Sequence, residues 1–127
     1  MNLDTFLPVR LIQENSMYTY LARVTKVYDG DTLTCDIDLG FNMWMRAQKI
    51  RLADIDAPEL VGPCRPAGLA ARNALRELVA GKDVILLTRQ DKAEKYGRWL
   101  GEIWLPGSTK SVNHWLVEAG HAKFHSW

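Results

Sequence analysis

Hydrophobic and polar residues alternate along the first half of this chain with the period of two that is typical of half-buried β-strands. The clearest alternation covers residues 32–39, where every second side chain is apolar. An earlier strand is predicted around Val24 and Val27, and Asp29-Gly30 supplies a favoured hairpin turn between these two strands. A third strand is predicted over residues 49–54.

From Pro66 onward the hydrophobic period changes to that of an amphipathic helix. Alanine and leucine side chains form one stripe and charged side chains the other, with Pro66 suited to the first turn and Gly81 to the end. Residues 84–87 then predict a buried strand, and residues 99–105 predict another.

A second, shorter helix is predicted over residues 112–119, with Ser111 as its N-cap and Gly120 at its end. Three strands, a helix, two strands and a helix indicate an α+β, mainly β, chain and are compatible with a five-stranded Greek-key barrel of the oligonucleotide-binding type, the OB-fold. Trp99, Trp104 and Trp115 are expected to pack in the core, whereas Trp44, in the segment from Gly40 to Gln48, is the tryptophan expected to be exposed.

The chain has 127 residues, the size of one ordinary domain with a single core. Its formal net charge is +1, which argues against binding nucleic acid through a large positive field alone. Residues 1–60 contain six Lys and Arg against nine Asp and Glu, whereas residues 61–98 contain eight against four. This division suits a site that binds a cation and an anion together, although solvated surface charge gives the same totals.

The N-terminal residues 1–16 contain Asp4, Arg10 and Glu14, where a signal peptide needs an uninterrupted apolar core. No stretch has the length of a membrane helix, so we expect no membrane partner and a cytoplasmic location, with a phage or mobile element as one hypothesis for the setting. Residues 1–16 are interpreted as an N-terminal arm, and residues 17–127 as the folded domain, expected to be a monomer. The two cysteines are expected to be free thiols.

Two short acidic segments carry the candidate chemistry. Asp-Gly-Asp-Thr at residues 29–32 and Asp-Ile-Asp-Ala-Pro-Glu at residues 54–59 flank Arg51, and Lys-Tyr-Gly-Arg follows at residues 95–98. A phosphodiester gains negative charge as a nucleophile adds, and the planar arginine fork can hold two phosphate oxygens at once. Carboxylates would repel the phosphate unless they held a hard divalent cation. The combination therefore predicts phosphate chemistry at a metal ion.

Four blocks of the chain resemble, in order, the signature blocks of the staphylococcal nuclease (thermonuclease-like) family: residues 27–32, 50–52, 55–59 and 95–98. The likeness runs from about residue 20 to residue 123, and four blocks at compatible spacing are far more specific than one. The resemblance implies an OB-fold barrel with two or three helices. It also implies a calcium-dependent nuclease that hydrolyses DNA, with RNA as a second substrate class, cleaving the P–O5′ bond and leaving 3′-phosphates.

The resemblance further implies the metal ligands. Asp31, Asp56 and the backbone carbonyl of Ala57 would hold calcium, and Glu59 would contact the metal through a water and act as general base. Ala57 departs from the family pattern, in which the best-known members carry threonine. Because the ligand is a backbone carbonyl, the change removes a hydroxyl group but leaves the ligand in place.

The same resemblance implies that Arg51 and Arg98 clamp the scissile phosphate, and that Lys95 and Tyr96 lie near the nucleotide-binding pocket. Each motif also has a plain structural interpretation, as a hairpin turn, a strand-ending turn or a surface cation. A non-catalytic nucleic-acid-binding module of the same fold stays open as an alternative. An intact set of acids and arginines favours the enzyme, since a binding module has no physical need for them.

Overall fold

Five strands close into a barrel, and the two α-helices of the described residues pack against its first and last strands in chain order. The computed structural model describes residues 18–90 and 99–125. Its elements in chain order are β1 (Tyr18–Asp29), β2 (Thr32–Gly40), β3 (Met43–Leu52), β4 (Ile55–Asp56), a 3₁₀ turn (Gly62–Cys64), α1 (Arg65–Val79), β5 (Asp83–Gln90), β6 (Trp99–Trp104), α2 (Val112–Glu118) and β7 (Lys123–Phe124).

The strand order around the barrel is β1-β2-β3-β6-β5, and β5 pairs with β1 to close it. All neighbours are antiparallel except β3 and β6, which pair in parallel over residues 50–52 and 99–101. The short strands β4 and β7 form a separate two-stranded sheet. The predicted fold class, a mainly β chain with a five-stranded barrel and two helices, is confirmed. No helix in the described part of the chain is long and apolar enough to cross a membrane.

The barrel interior is filled by the apolar residues of the alternating strands, as the pattern predicts. Its fully buried side chains come from every barrel strand and from the inner faces of both helices: Val24, Leu33, Cys35, Ile50, Leu52, Leu75, Val79, Val84, Leu86, Ile103 and Leu116. Both cysteines are free, with Cys35 buried and Cys64 exposed, as expected. Burial raises the pKa of the Cys35 thiol to about 12.

Two expectations about the strands and the aromatic residues are wrong in detail. β3 begins at Met43, six residues before the predicted start, because β2 and β3 continue past the barrel as a hairpin. The hairpin turns at Phe41 and Asn42, whose φ angles of 53° and 60° suit a tight turn of type I′. Residues 43–47 are exposed, so they lack the alternation that marks a half-buried strand.

The expectation that Trp99 and Trp115 pack in the core is wrong, whereas Trp44 is exposed as expected. Trp44, Trp99 and Trp115 are 39%, 39% and 38% exposed. The interior of a five-stranded barrel is narrow, and aliphatic side chains already fill it here. The indole rings therefore lie on the outside of the barrel, where Trp44 also packs against the guanidinium of Arg46.

Asn113 is a buried polar residue that joins α2 to the parallel pair of strands. Its amide nitrogen donates to the carbonyls of Ala53 and Gly101 at 2.9 and 3.0 Å, and its carbonyl oxygen accepts from the backbone N–H of Ile103 at 3.2 Å. The end of β3, the middle of β6 and the start of α2 are thus linked by one side chain. This link holds in place the turn that follows β3 and leads to the second acidic segment.

We predict that Asn113→Ala lowers the free energy of unfolding by about 3 kcal/mol, because one buried donor and two buried acceptors each lose a partner. Urea unfolding followed by circular dichroism measures this. Asn73→Ala, at an exposed position on α1, is the matched control and should stay within about 0.5 kcal/mol of the wild type. Equal losses in the two variants would contradict the role of Asn113.

Candidate active site

The fold brings the two acidic segments together around one arginine. Asp31 lies in the β1–β2 turn, Asp56 ends β4, and Arg51 lies in β3 and contacts both. The Nη2 atom of Arg51 is 3.3 Å from Asp31 Oδ2 and 3.3 Å from Asp56 Oδ1. The side chains of Arg51 and Asp31 are 7% and 9% exposed, whereas that of Asp56 is 63% exposed. One carboxylate is therefore buried and the other faces solvent.

Arg51 points away from the barrel interior, in the direction opposite to its two strand neighbours, and is buried by the acidic segments. Ile50 and Leu52 point into the barrel, so Arg51 points to the other face, as the sequence predicts, and the acidic segments cover it. Its Nη1 atom donates to the carbonyls of Leu52 and Ile55 at 2.9 and 3.0 Å. The plain interpretation of Arg51 as a surface cation is wrong, and the guanidinium is held in a fixed orientation.

Asp31 is held by several donors. Its side chain accepts from the backbone N–H of Ala57 at 2.8 Å and from the Thr32 hydroxyl at 3.2 Å. Its own backbone N–H donates to Asp29 Oδ1 at 3.0 Å, so Asp29 shapes the turn. Burial and the neighbouring Asp29 raise the pKa of Asp31 to about 6, against the opposing effects of the Ala57 N–H and Arg51.

Helix α1 packs directly against both acidic segments through small residues. A Cβ atom on Gly30 would lie 2.7 Å from Ala71 Cβ and 2.8 Å from Ala57 Cβ, so the turn between Asp29 and Asp31 touches the helix and the second segment. A Cβ atom on Gly68 would lie 2.3 Å from the carbonyl oxygen of Glu59. These approaches exclude any side chain at Gly30 and Gly68 without a shift of backbone.

Sequence reasoning had not singled out Gly30 or Gly68 as residues that position the site. A glycine inside an otherwise helical pattern costs about 1 kcal/mol relative to alanine, so Gly68 within α1 was the available signal of a close contact. Glu59 itself is exposed at the segment that leads to α1. Its backbone is thus positioned by the helix while its carboxylate faces solvent.

The second sheet places C-terminal residues beside the site. Asp56 pairs with Lys123 and Ile55 with Phe124 in the β4–β7 ladder. Asp54, which had no role in the sequence analysis, forms the turn before β4 with a φ angle of 64° and an ion pair with Arg89. Lys123 was also not anticipated, because its proximity to Asp56 depends on a ladder between segments 67 positions apart.

Three of the predicted site residues lie outside the described part of the chain. These are Arg98, Lys95 and Tyr96, and their assignments stay predictions. The predicted N-terminal arm of residues 1–16 also lies outside it. Of the remaining candidates, the structure brings Asp31, Arg51, Asp56 and Ala57 together, and it holds the backbone of Glu59 against α1.

The donors at this site are oxygen atoms. Among residues 18–90 and 99–125, no three His, Cys, Asp or Glu side chains form a metal-binding group. The carboxylates of Asp31 and Asp56 both contact the Nη2 atom of Arg51, and the backbone carbonyl of Ile55 contacts its Nη1 atom. Such a donor set suits a hard cation that keeps several waters, such as calcium or magnesium, and lacks the nitrogen and sulfur ligands that zinc prefers. The residues therefore fit a hard divalent ion.

The raised pKa of Asp31 predicts a pH dependence for the stability of the metal-free protein. An aspartate titrates near 3.9 in the unfolded chain and at about 6 here, so the unfolded state loses its proton first as pH rises. The free energy of unfolding should therefore fall between pH 4 and pH 6, by about 2–3 kcal/mol from this residue. Urea unfolding in chelator, compared between wild type and Asp31→Asn, measures the contribution.

Asp83→Asn is the control for this prediction, because the side chain of Arg23 lowers the pKa of Asp83. A lowered pKa makes stability rise with pH, so removing Asp83 should change the pH dependence in the opposite direction. If Asp31→Asn and the wild type show the same pH dependence, Asp31 does not retain its proton in the folded protein.

The chain is similar in sequence to known proteins. The family model described as "Staphylococcal nuclease homologue" matches residues 49–127. This range includes Arg51, Asp56 and Glu59 and begins after Asp31.

Several relatives are similar over about four fifths of the chain. An uncharacterized endonuclease of Escherichia coli O157:H7 is 37% identical over 100 residues, covering 79% of this chain and 58% of that protein. A thermonuclease of Staphylococcus intermedius is 31% identical over 105 residues, covering 80% and 59%. A micrococcal nuclease of Shigella flexneri is 32% identical over 110 residues, covering 81% and 57%.

The chain thus spans a little under three fifths of the length of these relatives. The family model covers more than half of the chain, and the described strands form the five-stranded barrel that the resemblance implies. This chain belongs to the staphylococcal nuclease family.

Proposed function

We propose that this protein is a calcium-dependent nuclease that hydrolyses phosphodiester bonds of DNA, with RNA as a second substrate class, cleaving P–O5′ and leaving 3′-phosphates. The observation that carries the proposal is the position of Arg51, a buried guanidinium held between the carboxylates of Asp31 and Asp56. The thermonuclease and micrococcal nuclease among the relatives support the same activity. A monomeric and cytoplasmic enzyme stays the expectation from the sequence.

The charges at the centre of the site favour a cation and an anion together. When both carboxylates are ionised, the formal charges of the three side chains Asp31, Asp56 and Arg51 sum to −1. A bound divalent cation makes this sum positive, which suits an anionic phosphodiester. Asp31, Asp56 and the carbonyl of Ala57 would hold calcium, which supplies positive charge next to the phosphate and orients the attacking water.

The residues of the chain have separate roles in the reaction. Glu59 accepts a proton from the attacking water, whose oxygen forms a bond to phosphorus as the P–O5′ bond breaks. Arg51 and Arg98 donate hydrogen bonds to the phosphate oxygens on which negative charge grows. The leaving O5′ oxygen takes a proton from solvent water, so the products are a 3′-phosphate and a 5′-hydroxyl.

Arg51 suits this role because its orientation is set before substrate binds. Two backbone carbonyls hold Nη1 and two carboxylates hold Nη2. A donor that is already oriented in a site shielded from water needs little reorganisation when charge develops, so it stabilises the transition state more than a solvated arginine does.

The first test is digestion of a single-stranded DNA oligonucleotide in calcium. We expect chelator to abolish cleavage, Glu59→Gln to lower kcat by roughly 10²–10⁴-fold and Arg98→Ala to lower it by roughly 10²–10³-fold. Glu77→Gln, a carboxylate on the exposed side of α1, is the control and should retain the wild-type rate. End-group analysis of the products should find 3′-phosphates.

If a folded wild-type protein binds the oligonucleotide but cleaves none of it under any of these conditions, the non-catalytic binding module is the correct function. Cleavage at the wild-type rate by Glu59→Gln would instead remove Glu59 from the role of general base.

The contact between Gly68 and Glu59 generates a second prediction for catalysis. Gly68→Ala places a methyl group where the Glu59 carbonyl now lies, so the helix or the acidic segment must move. We expect kcat to fall by roughly 10–10²-fold, since displacements of about 1 Å at a catalytic group have effects of that size. Steady-state kinetics on the same oligonucleotide measures it.

Ala67→Ser, an exposed position in the same helical turn, is the control for Gly68 and should leave kcat unchanged. A Gly68→Ala variant with the wild-type kcat would show that the helix does not set the position of Glu59.

A further inference from the structure

Three arginines lie along one flank of α1. Arg65, Arg72 and Arg76 are separated by seven and four residues, which places them within about 40° of one another at 100° per residue. They extend along about 17 Å of the helix at 1.5 Å per residue. These three residues are called the α1 arginine stripe below.

The stripe differs from the other arginines of the described chain in its electrostatic partners. Each described arginine outside α1 forms an ion pair with at least one aspartate: Arg23 with Asp83, Arg46 with Asp36, Arg51 with Asp31 and Asp56, and Arg89 with Asp54. None of the ion pairs found within the described residues includes a stripe arginine.

The stripe arginines contact neutral acceptors instead. Arg65 donates to the carbonyl of Leu60 at 2.8 Å, and Arg76 donates to the carbonyl of Val27 at 3.4 Å. Arg72 donates to the side-chain oxygen of its neighbour Asn73 at 3.3 Å. Neutral acceptors orient a guanidinium without cancelling its charge, so three uncompensated positive charges remain on one flank of the helix.

Both ends of the stripe lie next to the acidic segments of the candidate active site. Leu60, which holds Arg65, directly follows Glu59, and Val27, which holds Arg76, precedes Asp29 by two residues. Between these ends, α1 touches Glu59 through Gly68 and Gly30 through Ala71. A polymer with its scissile bond at Arg51 therefore has positive charge along its path on this side of the site.

We propose that the α1 arginine stripe binds successive backbone phosphates of a polynucleotide substrate, outside the phosphate that is cleaved. This inference rests on the proposed nuclease function and extends it, because it assigns the enzyme to long polynucleotides in preference to short ones. A single strand in a duplex carries one charge per 3.4 Å of axis, so the stripe matches the length of about five phosphates. Guanidinium groups bind such oxygens in a bidentate manner without reading sequence.

Electrostatic binding of this kind has a measurable salt dependence. Each neutralised phosphate releases counterions and adds about 0.7 to the slope of log K against log salt for single strands, or about 0.9 for duplexes. Removing three contacts should thus lower the magnitude of the slope by about 2 for single-stranded DNA and by about 3 for duplex DNA.

The experiment compares two triple variants, both made in the Glu59→Gln background so that DNA stays intact. One carries Arg65→Gln, Arg72→Gln and Arg76→Gln. The other is the charge-matched control with Arg23→Gln, Arg46→Gln and Lys110→Gln, whose native side chains are all ion-paired away from the site. Fluorescence anisotropy of a 20-nucleotide single strand is recorded from 50 to 300 mM salt in calcium, and circular dichroism confirms that each variant is folded.

We expect the stripe variant to show the smaller slope and at least tenfold weaker binding at low salt, while the control keeps the slope of its parent. Equal slopes in the stripe variant and the control would overturn the proposal. If the triple variant fails to fold, the three single variants replace it, and each should lower the slope by about 0.7.

A cleavage assay separates this proposal from the proposed function. In the Glu59 wild-type background, the stripe variant should have a raised KM for the 20-nucleotide strand and an unchanged kcat/KM for a dinucleotide, which is too short to reach the stripe. A protein that cleaves neither substrate but shows the expected slopes would refute the nuclease and support the stripe. Cleavage with equal KM in wild type and stripe variant would refute the stripe and support the nuclease.

Discussion

The structure of the candidate site depends on the buried contact of Arg51 with Asp31 and Asp56. A buried carboxylate or guanidinium loses much of its hydration, and the loss is offset only when opposite charges and hydrogen bonds surround it. Here the backbone N–H of Ala57 and two backbone carbonyls are among those partners. The barrel positions this cluster, and the cluster in turn ties the β1–β2 turn to the second acidic segment.

The second constraint is the close packing of helix α1 against the acidic segments, which requires glycine or alanine at the contact positions. Helix α1 reaches both acidic segments only because Gly30 and Gly68 have no Cβ and because Ala57 and Ala71 are small. The alanine at position 57, where the family's best-known members carry threonine, fits this contact between the turn and the helix. Asn113 plays a corresponding part on the other side, since it fixes the end of β3 relative to β6 and α2. A barrel can carry loops of many conformations. The helix packing and the Asn113 hydrogen bonds restrict these loops to one arrangement of the acidic residues.

Most of the strands and helices could be predicted from the sequence, because the spacing of apolar residues in a segment indicates which of its side chains are buried. The strand over residues 32–39 and the helix from Pro66 follow the expected periods, and Ser111 caps α2 through the N–H of His114 as predicted. The start of β3 could not be predicted in this way, since residues 43–47 leave the barrel and have no buried face. The exposure of Trp99 and Trp115 could not be predicted either, because residue type alone does not show how much space the barrel interior has.

The sequence by itself determined the strand and helix order, the two acidic segments and the arginine between them, because spacing and residue chemistry are local properties of a chain. Only the tertiary structure decided that Arg51 is buried between Asp31 and Asp56, that Gly68 supports Glu59 and that Lys123 pairs with Asp56. It also decided that the three arginines of α1 have no carboxylate partner among the described residues. These are contacts between segments far apart in sequence, and their distances follow from barrel closure and packing, which no local pattern records.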